Sequence, residues 1–516
     1  MTPQSVRDST RLTRARRGIC SSQRGRSTGQ GVCHGIQRDG SSSRAGAGVG
    51  AHRRRSPPEG AQLVRHGRDL RGHRPVHHGF LTFLIPGAIV TGQLGFLFPG
   101  EGSIYLWTHK AFGPFASFFA GFTAWWPGVL VQLATGTVVS QLLQALGGWT
   151  FPAWLQGVII LAVIVVAGVV STLRFRLTQN AVNLVFVLYG LAILLIGLAG
   201  VIWLAQGHHS FTDFSRFDFK PGGWFAGLND TSTWSLYGFV ILALLGIEVP
   251  LNMGVEIVHR RAITRYLLWG SVVVMVAYLL ADWALLVAAD PKQGGNLGAL
   301  LIPVTATMGS VAEWFVGLVF IGFFVFITVV YSYSFARLLF VSGLDRRLPP
   351  ALSRVNRSRI PHVAIATQSV LAAIVTIVTF FVYPAIVSGN AADLSSRVYL
   401  VFQAAITVIW CLSMVFLFVD VLYVIRKFAV EFAERRIAHP AVFWVCSIIG
   451  AVSSFFGVWT VFTNPFSAII GKNDWVVAVG AVTVLSLAVI PIVYLVGRQV
   501  AHDSPLPPEA QAASGS

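Results

Sequence analysis

Charge is what this chain has least of. Asp, Glu, Lys and Arg make up 11% of its 516 residues, against 54% apolar residues and a mean hydropathy of +0.67. Soluble proteins spend about a quarter of their residues on these four types. So few charges cannot cover a water-facing surface, so lipid is the solvent of most of this chain. Cysteine is also scarce: Cys20, Cys33, Cys411 and Cys446 give neither a disulfide framework nor a paired CxxC metal spacing. No HExxH, GxSxG or GxxxxGK(S/T) pattern occurs, which argues against a metallohydrolase, a serine hydrolase and a nucleotide-driven pump. The chain is therefore not expected to be an enzyme.

Lysine is absent from residues 1–80, which hold 16 Arg and only four acids, Asp8, Asp39, Glu59 and Asp69. That segment supplies +12 of the formal +17. A basic stretch without interleaved aromatics or a groove-reading fold does not support a nucleic-acid partner. Four readings fit it: a transit peptide, a solvated disordered tail, a tail bound to anionic lipid, or translation of a GC-rich region out of frame. The Arg-only basic composition and the abrupt change near Gly79 favour the last. The sequence divides accordingly into 1–78, Arg-rich and either disordered or out of frame; 79–500, a transmembrane domain; and 501–516, a disordered C-terminal tail.

What is present is a series of long charge-free runs. A helix needs about 20 apolar residues to cross the hydrocarbon. Eleven spans are predicted, near 79–99, 112–146, 153–173, 180–205, 231–258, 263–289, 311–341, 362–387, 398–425, 441–463 and 475–497. With the C-terminus inside, 17 Lys and Arg of residues 81–516 fall on inner connections and 5 on outer ones. The positive-inside rule therefore puts the C-terminus in the cytoplasm. An odd span number then leaves the Arg-rich segment outside, in conflict with the same rule. The conflict points to a spanning helix absent before residue 79.

Three ordered motifs carry a resemblance. Gln93-Leu-Gly-Phe-Leu-Phe-Pro-Gly-Glu-Gly-Ser-Ile-Tyr-Leu-Trp, running to Ala111-Phe-Gly-Pro114, is similar to the second-to-third-helix segment of amino acid–polyamine–organocation permeases. Gly246-Ile-Glu-Val-Pro250 resembles the GxE segment of that family's broken sixth helix. Ser334-Phe-Ala-Arg-Leu-Leu-Phe through Leu348-Pro349 to Arg354-Val-Asn-Arg-Ser-Arg-Ile-Pro361 resembles its eighth helix and the loop after it. The resemblance implies an all-α polytopic membrane protein of the leucine-transporter type: two inverted five-helix repeats plus two helices. The eleven predicted spans then match the second to twelfth family helices, with the first family helix missing.

A midplane site needs an interrupted helix, because only unwound backbone has free N–H and C=O groups for a substrate. The span 231–258 has Gly246, Glu248, Pro250, Asn252 and Gly254 within an apolar run. By the resemblance, backbone around Ala243, Leu244, Leu245, Gly246 and Ile247 receives the substrate's ammonium group. The position where the family often has a gating aromatic is Leu242; the nearest aromatics are Tyr237 and Phe239. Glu248, a carboxyl at membrane depth, is a candidate proton carrier; the competing reading is a neutral acid bonding a neighbouring helix. Asp282 and Asp420 are expected at the membrane interface.

The fifth family helix carries a sodium-replacing lysine in some relatives; here Phe186 stands near that position. Thr328, Tyr331, Ser332 and Ser334 offer hydroxyls to a sodium ion, or else simply join helices. Trp125, Trp126 and Trp410 are cavity-lining candidates or anchors. No resident cofactor or metal is expected beyond H+ or Na+ coupling. The expected function is secondary active transport, as permease or antiporter, of amino acids by alternating access. The alternatives are a non-transporting or degenerate permease fold, or transport of polyamines or organic amines. The expected partners are a small amino acid or amine and membrane lipid, in the plasma membrane.

Overall fold

A computed structural model describes residues 78–173, 175–212, 214, 234, 236–256, 260–289, 297–386, 391–466 and 470–503. The expectations for the Arg-rich segment and for a helix before residue 79 fall on residues 1–77, outside the described residues. So does most of the proposed C-terminal tail, although its first residues, through Asp503, continue the last helix.

The described chain is almost entirely helical. In order it forms α1 (Phe80–Leu97), α2 (Ser103–Phe112), α3 (Pro114–Gly147), α4 (Ala153–Ser171), α5 (Phe175–Ala205), α6 (Tyr237–Leu244) and α7 (Arg260–Ala288). It continues with α8 (Ile302–Met308), α9 (Ser310–Leu344), α10 (His362–Ala385), α11 (Ala391–Lys427), α12 (Ala429–Arg435), α13 (Pro440–Thr463) and α14 (Lys472–Asp503). Among the described residues, ten helices are long and apolar enough to cross a membrane. The eleventh expected span is present as the short α6 followed by two 3-10 turns, Val249–Asn252 and Gly254–Glu256. No strand occurs among the described residues; a single antiparallel bridge pairs Glu101 with Met253.

The two halves repeat. In the first, the short α2 leads through Gly113, at φ +88° and ψ −167°, into the 34-residue α3. In the second, the short α8 leads through Gly309, at φ +81° and ψ −177°, into the 35-residue α9. That backbone region is essentially closed to residues with a Cβ, which explains a glycine at both corners. The order α1, α2, α3, α4, α5 thus recurs as α7, α8, α9, α10, α11. Counting the broken span, α7 comes five crossings after α1. The second copy therefore runs through the membrane in the opposite direction, and α13 and α14 follow as the two extra helices.

The packing shows lipid as the outer solvent. Val165, Val169, Leu184, Val187, Leu194, Val484 and Leu485 are all exposed. In contrast α3 is surrounded, with buried residues on every side, and forms the centre of the bundle. Glycines set the close approaches: a Cβ at Gly128 would come within 2.6 Å of the Phe335 ring on α9, and one at Gly136 within 2.9 Å of Ile160 on α4. Between apolar helices in lipid, such small-residue contacts supply much of the association.

Candidate functional site

The break in the fifth predicted span follows from two residues. Helix α6 stops at Leu244, and Leu245 is extended at φ −65° and ψ 150°. Gly246 then turns at φ +106°, a conformation that costs a Cβ-bearing residue strain. A Cβ there would lie 3.6 Å from Trp410, an ordinary contact. Conformation, not space, therefore requires the glycine. Pro250, which has no N–H, opens the following 3-10 turn. The Gly246 and Glu248 carbonyls accept from the N–H groups of Val249 (3.1 Å) and Leu251 (2.9 Å).

Glu248 sits at the start of that turn and is 1% exposed. Its Oε1 accepts a 2.6 Å hydrogen bond from Trp410 Nε1 of α11. Its Oε2 has no hydrogen-bond partner among the described residues. The Trp410 ring meets Phe335 and Tyr331 of α9 edge-on, at centroid distances of 5.3 and 6.3 Å. A carboxyl group beside three aromatic rings and an unwound backbone is a setting that attracts an ammonium group, by charge and by the faces of the rings.

The other expected site residues divide between this cluster and elsewhere. Gly246 and Glu248 lie together, and Ile247 packs toward Gly87 of α1. Leu244 is buried, and the Ala243 carbonyl accepts from Tyr278 Oη at 3.2 Å, so it already has a donor. Tyr331 belongs to the aromatic wall. Ser332 is fully buried, and its hydroxyl has no partner among the described residues. Thr328 lies 2.6 Å from Thr135 Oγ1 of α3 and donates to the Phe324 carbonyl, so it joins two helices. Trp125 donates to Gln368 of α10 at 3.0 Å, and Trp126 to Ser486 of α14 at 2.8 Å. Both indoles are committed to helix contacts.

Asp420, seven residues before the end of α11, is fully buried and accepts from Thr108 of α2 at 2.7 Å. In keeping with Leu242 at the gating position, the described residues of the broken span supply no aromatic to the cluster. The Tyr237 hydroxyl bonds Ser453 and Thr82 at 2.5 and 2.7 Å, and Phe239 meets Phe466 edge-on. The rings come instead from α9 and α11. Trp410 stood out in the sequence only as an aromatic within a span, and nothing linked it to Glu248, 162 positions away.

Below the break, the chain after α1 is tied to the end of the broken span. Gly102 N–H donates to the Asn252 carbonyl (3.1 Å), and Ser103 Oγ to Asn252 Oδ1 (2.5 Å). Arg337 of α9 pairs with Glu101 at 2.6 Å and also donates to Tyr333 Oη at 2.7 Å. Tyr105 donates to Asp345 at 2.9 Å; burial first, and the Asp345 carboxyl second, push its phenol above the ordinary range. Sequence reading quoted Glu101 and Arg337 within separate motifs but could not pair them.

Comparison with known proteins agrees with this architecture. An uncharacterized transporter of Legionella pneumophila is 23% identical over 360 residues, covering 63% of this chain and 72% of that protein. The gamma-aminobutyric acid permease of Bacillus subtilis is 24% identical over 306 residues, covering 56% of this chain and 61% of the permease. A probable agmatine/putrescine antiporter of Lactococcus lactis is 26% identical over 250 residues, covering 46% of this chain and 50% of the antiporter. The amino acid permease profile matches residues 78–500. That match bears out the motif resemblance and the reading of the body as a multi-pass membrane transporter rather than an enzyme. From its helix order, its broken span and this match, the chain belongs to the amino acid permease family.

Proposed function

We propose that this chain is a secondary transporter that carries a small primary amine or amino acid across the membrane by alternating access around the break at Gly246. The observation that carries the reading is Glu248: a carboxyl buried to 1% exposure, one oxygen fixed by Trp410 and the other without a partner among the described residues. An unpaired carboxyl at membrane depth is too costly to hold without a use. An ammonium group or a proton at Oε2 removes that cost. The relatives' names support an amine, since gamma-aminobutyric acid, agmatine and putrescine all carry a primary amine.

Proton coupling is the form of energy input this site favours. Of the hydroxyls weighed for sodium, Thr328 is bonded to Thr135, whereas Glu248 has an oxygen to spare. The 17-to-5 distribution of positive residues supports a cytoplasmic C-terminus. The test is uptake of radiolabelled putrescine and gamma-aminobutyric acid into proteoliposomes, with and without a pH gradient. The native chain should accumulate at least one of them, and Glu248→Gln should abolish the response to the gradient. Uptake no greater than in empty vesicles would favour the alternative, a permease fold that does not transport. A gradient response that persists in Glu248→Gln would make the residue a structural link between helices.

A further inference from the structure

The inner end of α11 gathers positive charge that no carboxylate answers. Helix α2 lies along the last turns of α11: Thr108 meets Asp420 at 2.7 Å, and the Phe112 and Tyr423 rings lie 5.0 Å apart by their centroids. At the end of both helices, Lys427 Nζ donates to the Lys110 carbonyl at 2.9 Å. That contact puts a positive charge at the C-terminal end of α2, where the helix dipole favours one. It leaves the ammonium group with further donors. The same ammonium lies 5.6 and 5.7 Å from the centroids of the Tyr423 and Phe428 rings, whose faces attract it and fix its position.

The Lys110 side chain leaves from the residue that Lys427 caps, and both lysines are exposed. Neither is paired with a carboxylate among the described residues. Arg426 is turned to another neighbour, 5.2 Å from the Trp444 ring of α13. Tyr423 stands one turn deeper in the membrane than Lys427, and with Phe112 it forms an exposed aromatic pair, 41% and 43% accessible. The positive-inside rule accounts for lysines at this depth, but not for exposed rings packed directly behind them. Cations at headgroup depth backed by lipid-facing rings match the polarity of a phospholipid whose headgroup is negative.

We propose that Lys110 and Lys427 bind the headgroup of an anionic phospholipid of the inner leaflet, whose glycerol and acyl chains lie against Phe112 and Tyr423. Phosphatidylcholine carries the same phosphate but offsets it with its own cation, so net charge is what the two lysines select. The lipid joins α2 to α11 and steadies the junction at which Ser103, at the start of α2, meets Asn252 of the broken span. The site is independent of what is carried and stands apart from the Glu248 reading.

The test exposes the purified, delipidated full-length chain to dioleoylphosphatidylglycerol or dioleoylphosphatidylcholine. Native mass spectrometry counts the lipids retained, and the melting temperature is measured with each. The native chain should retain phosphatidylglycerol over phosphatidylcholine by roughly tenfold or more, and melt at a higher temperature with it. Lys110→Gln and Lys427→Gln should each lower that preference by roughly fivefold, the effect of one basic side chain at an anionic surface. The double variant Arg435→Gln with Arg436→Gln removes two exposed charges from the same face and should leave the preference unchanged. Monodisperse elution and a retained melting transition report that each variant folds. If Lys427→Gln does not fold, Lys110→Gln decides the matter by the same ratio. A native chain that retains both lipids equally overturns the proposal, as does an unchanged preference in the folded lysine variants. An equal loss in the arginine variant also overturns it, by reducing the effect to diffuse charge.

Discussion

At the scale of single residues, the site depends on one indole N–H. Trp410 fixes the Glu248 oxygen that faces it and, by doing so, leaves the other available. A hydrogen bond to a group that can carry charge contributes about 1.5–3 kcal/mol. Trp410→Phe keeps a ring against Phe335 and Tyr331 but removes the donor. Its uptake efficiency, measured as kcat/KM in proteoliposomes, should fall by roughly tenfold or more, with the melting temperature little changed. Equal efficiency in the variant would reduce Trp410 to a packing residue.

At the scale of elements, the bundle is held at its inner end by pairings between segments that are far apart in the chain. Arg337 of α9 and Glu101 after α1 form an ion pair with side chains 5% and 16% exposed. Removing one member of a buried pair strands the other and costs about 3–5 kcal/mol, whereas removing both costs much less. Arg337→Leu should therefore lower the melting temperature of the detergent-solubilised protein more than the double variant Glu101→Leu with Arg337→Leu. Additive losses would mean that the two side chains act independently. The Asn252 contacts with Gly102 and Ser103 belong to the same junction. This junction is thus where movement of the broken span would be felt by α1, α2 and α9.

At the scale of the whole molecule, inverted repetition and charge placement make one prediction together. Ser358, after α9, and Gln206, after α5, are both exposed and lie three crossings apart, counting the broken span, and therefore on opposite faces. In a chain with its four native cysteines replaced by alanine, Gln206→Cys should react with a membrane-impermeant maleimide in intact cells. Ser358→Cys should react only after the cells are opened. The reverse pattern would invert the orientation derived from the positive residues. Equal labelling of both would break the span count.

How much of this was legible beforehand depended on the range of the signal. Ten of the eleven spans and the break at Gly246 are local: each is set by a run of apolar residues, a glycine or a proline within one helix length. The Gly113 and Gly309 corners, by contrast, gained their meaning only when the fold set them in corresponding places of the two halves. Lys427 was visible as a basic residue at the end of a span, but nothing in its neighbourhood linked it to Lys110, 317 positions away. The expected carbonyl site was complicated by Tyr278, 35 positions from Ala243.

The sequence by itself determined the solvent, the approximate spans, their alternating direction and the family. Hydropathy, charge bias and backbone punctuation act residue by residue, so they are present in the chain before it folds. Only the tertiary structure decided which groups meet: Trp410 with Glu248, and Arg337 with Glu101. Those pairings depend on the rotation and register of helices packed across 149 to 243 positions, as for Ser103 with Asn252 and Trp125 with Gln368. A shift of one residue turns a side chain by about 100° around its helix axis, enough to move it from the site to the lipid.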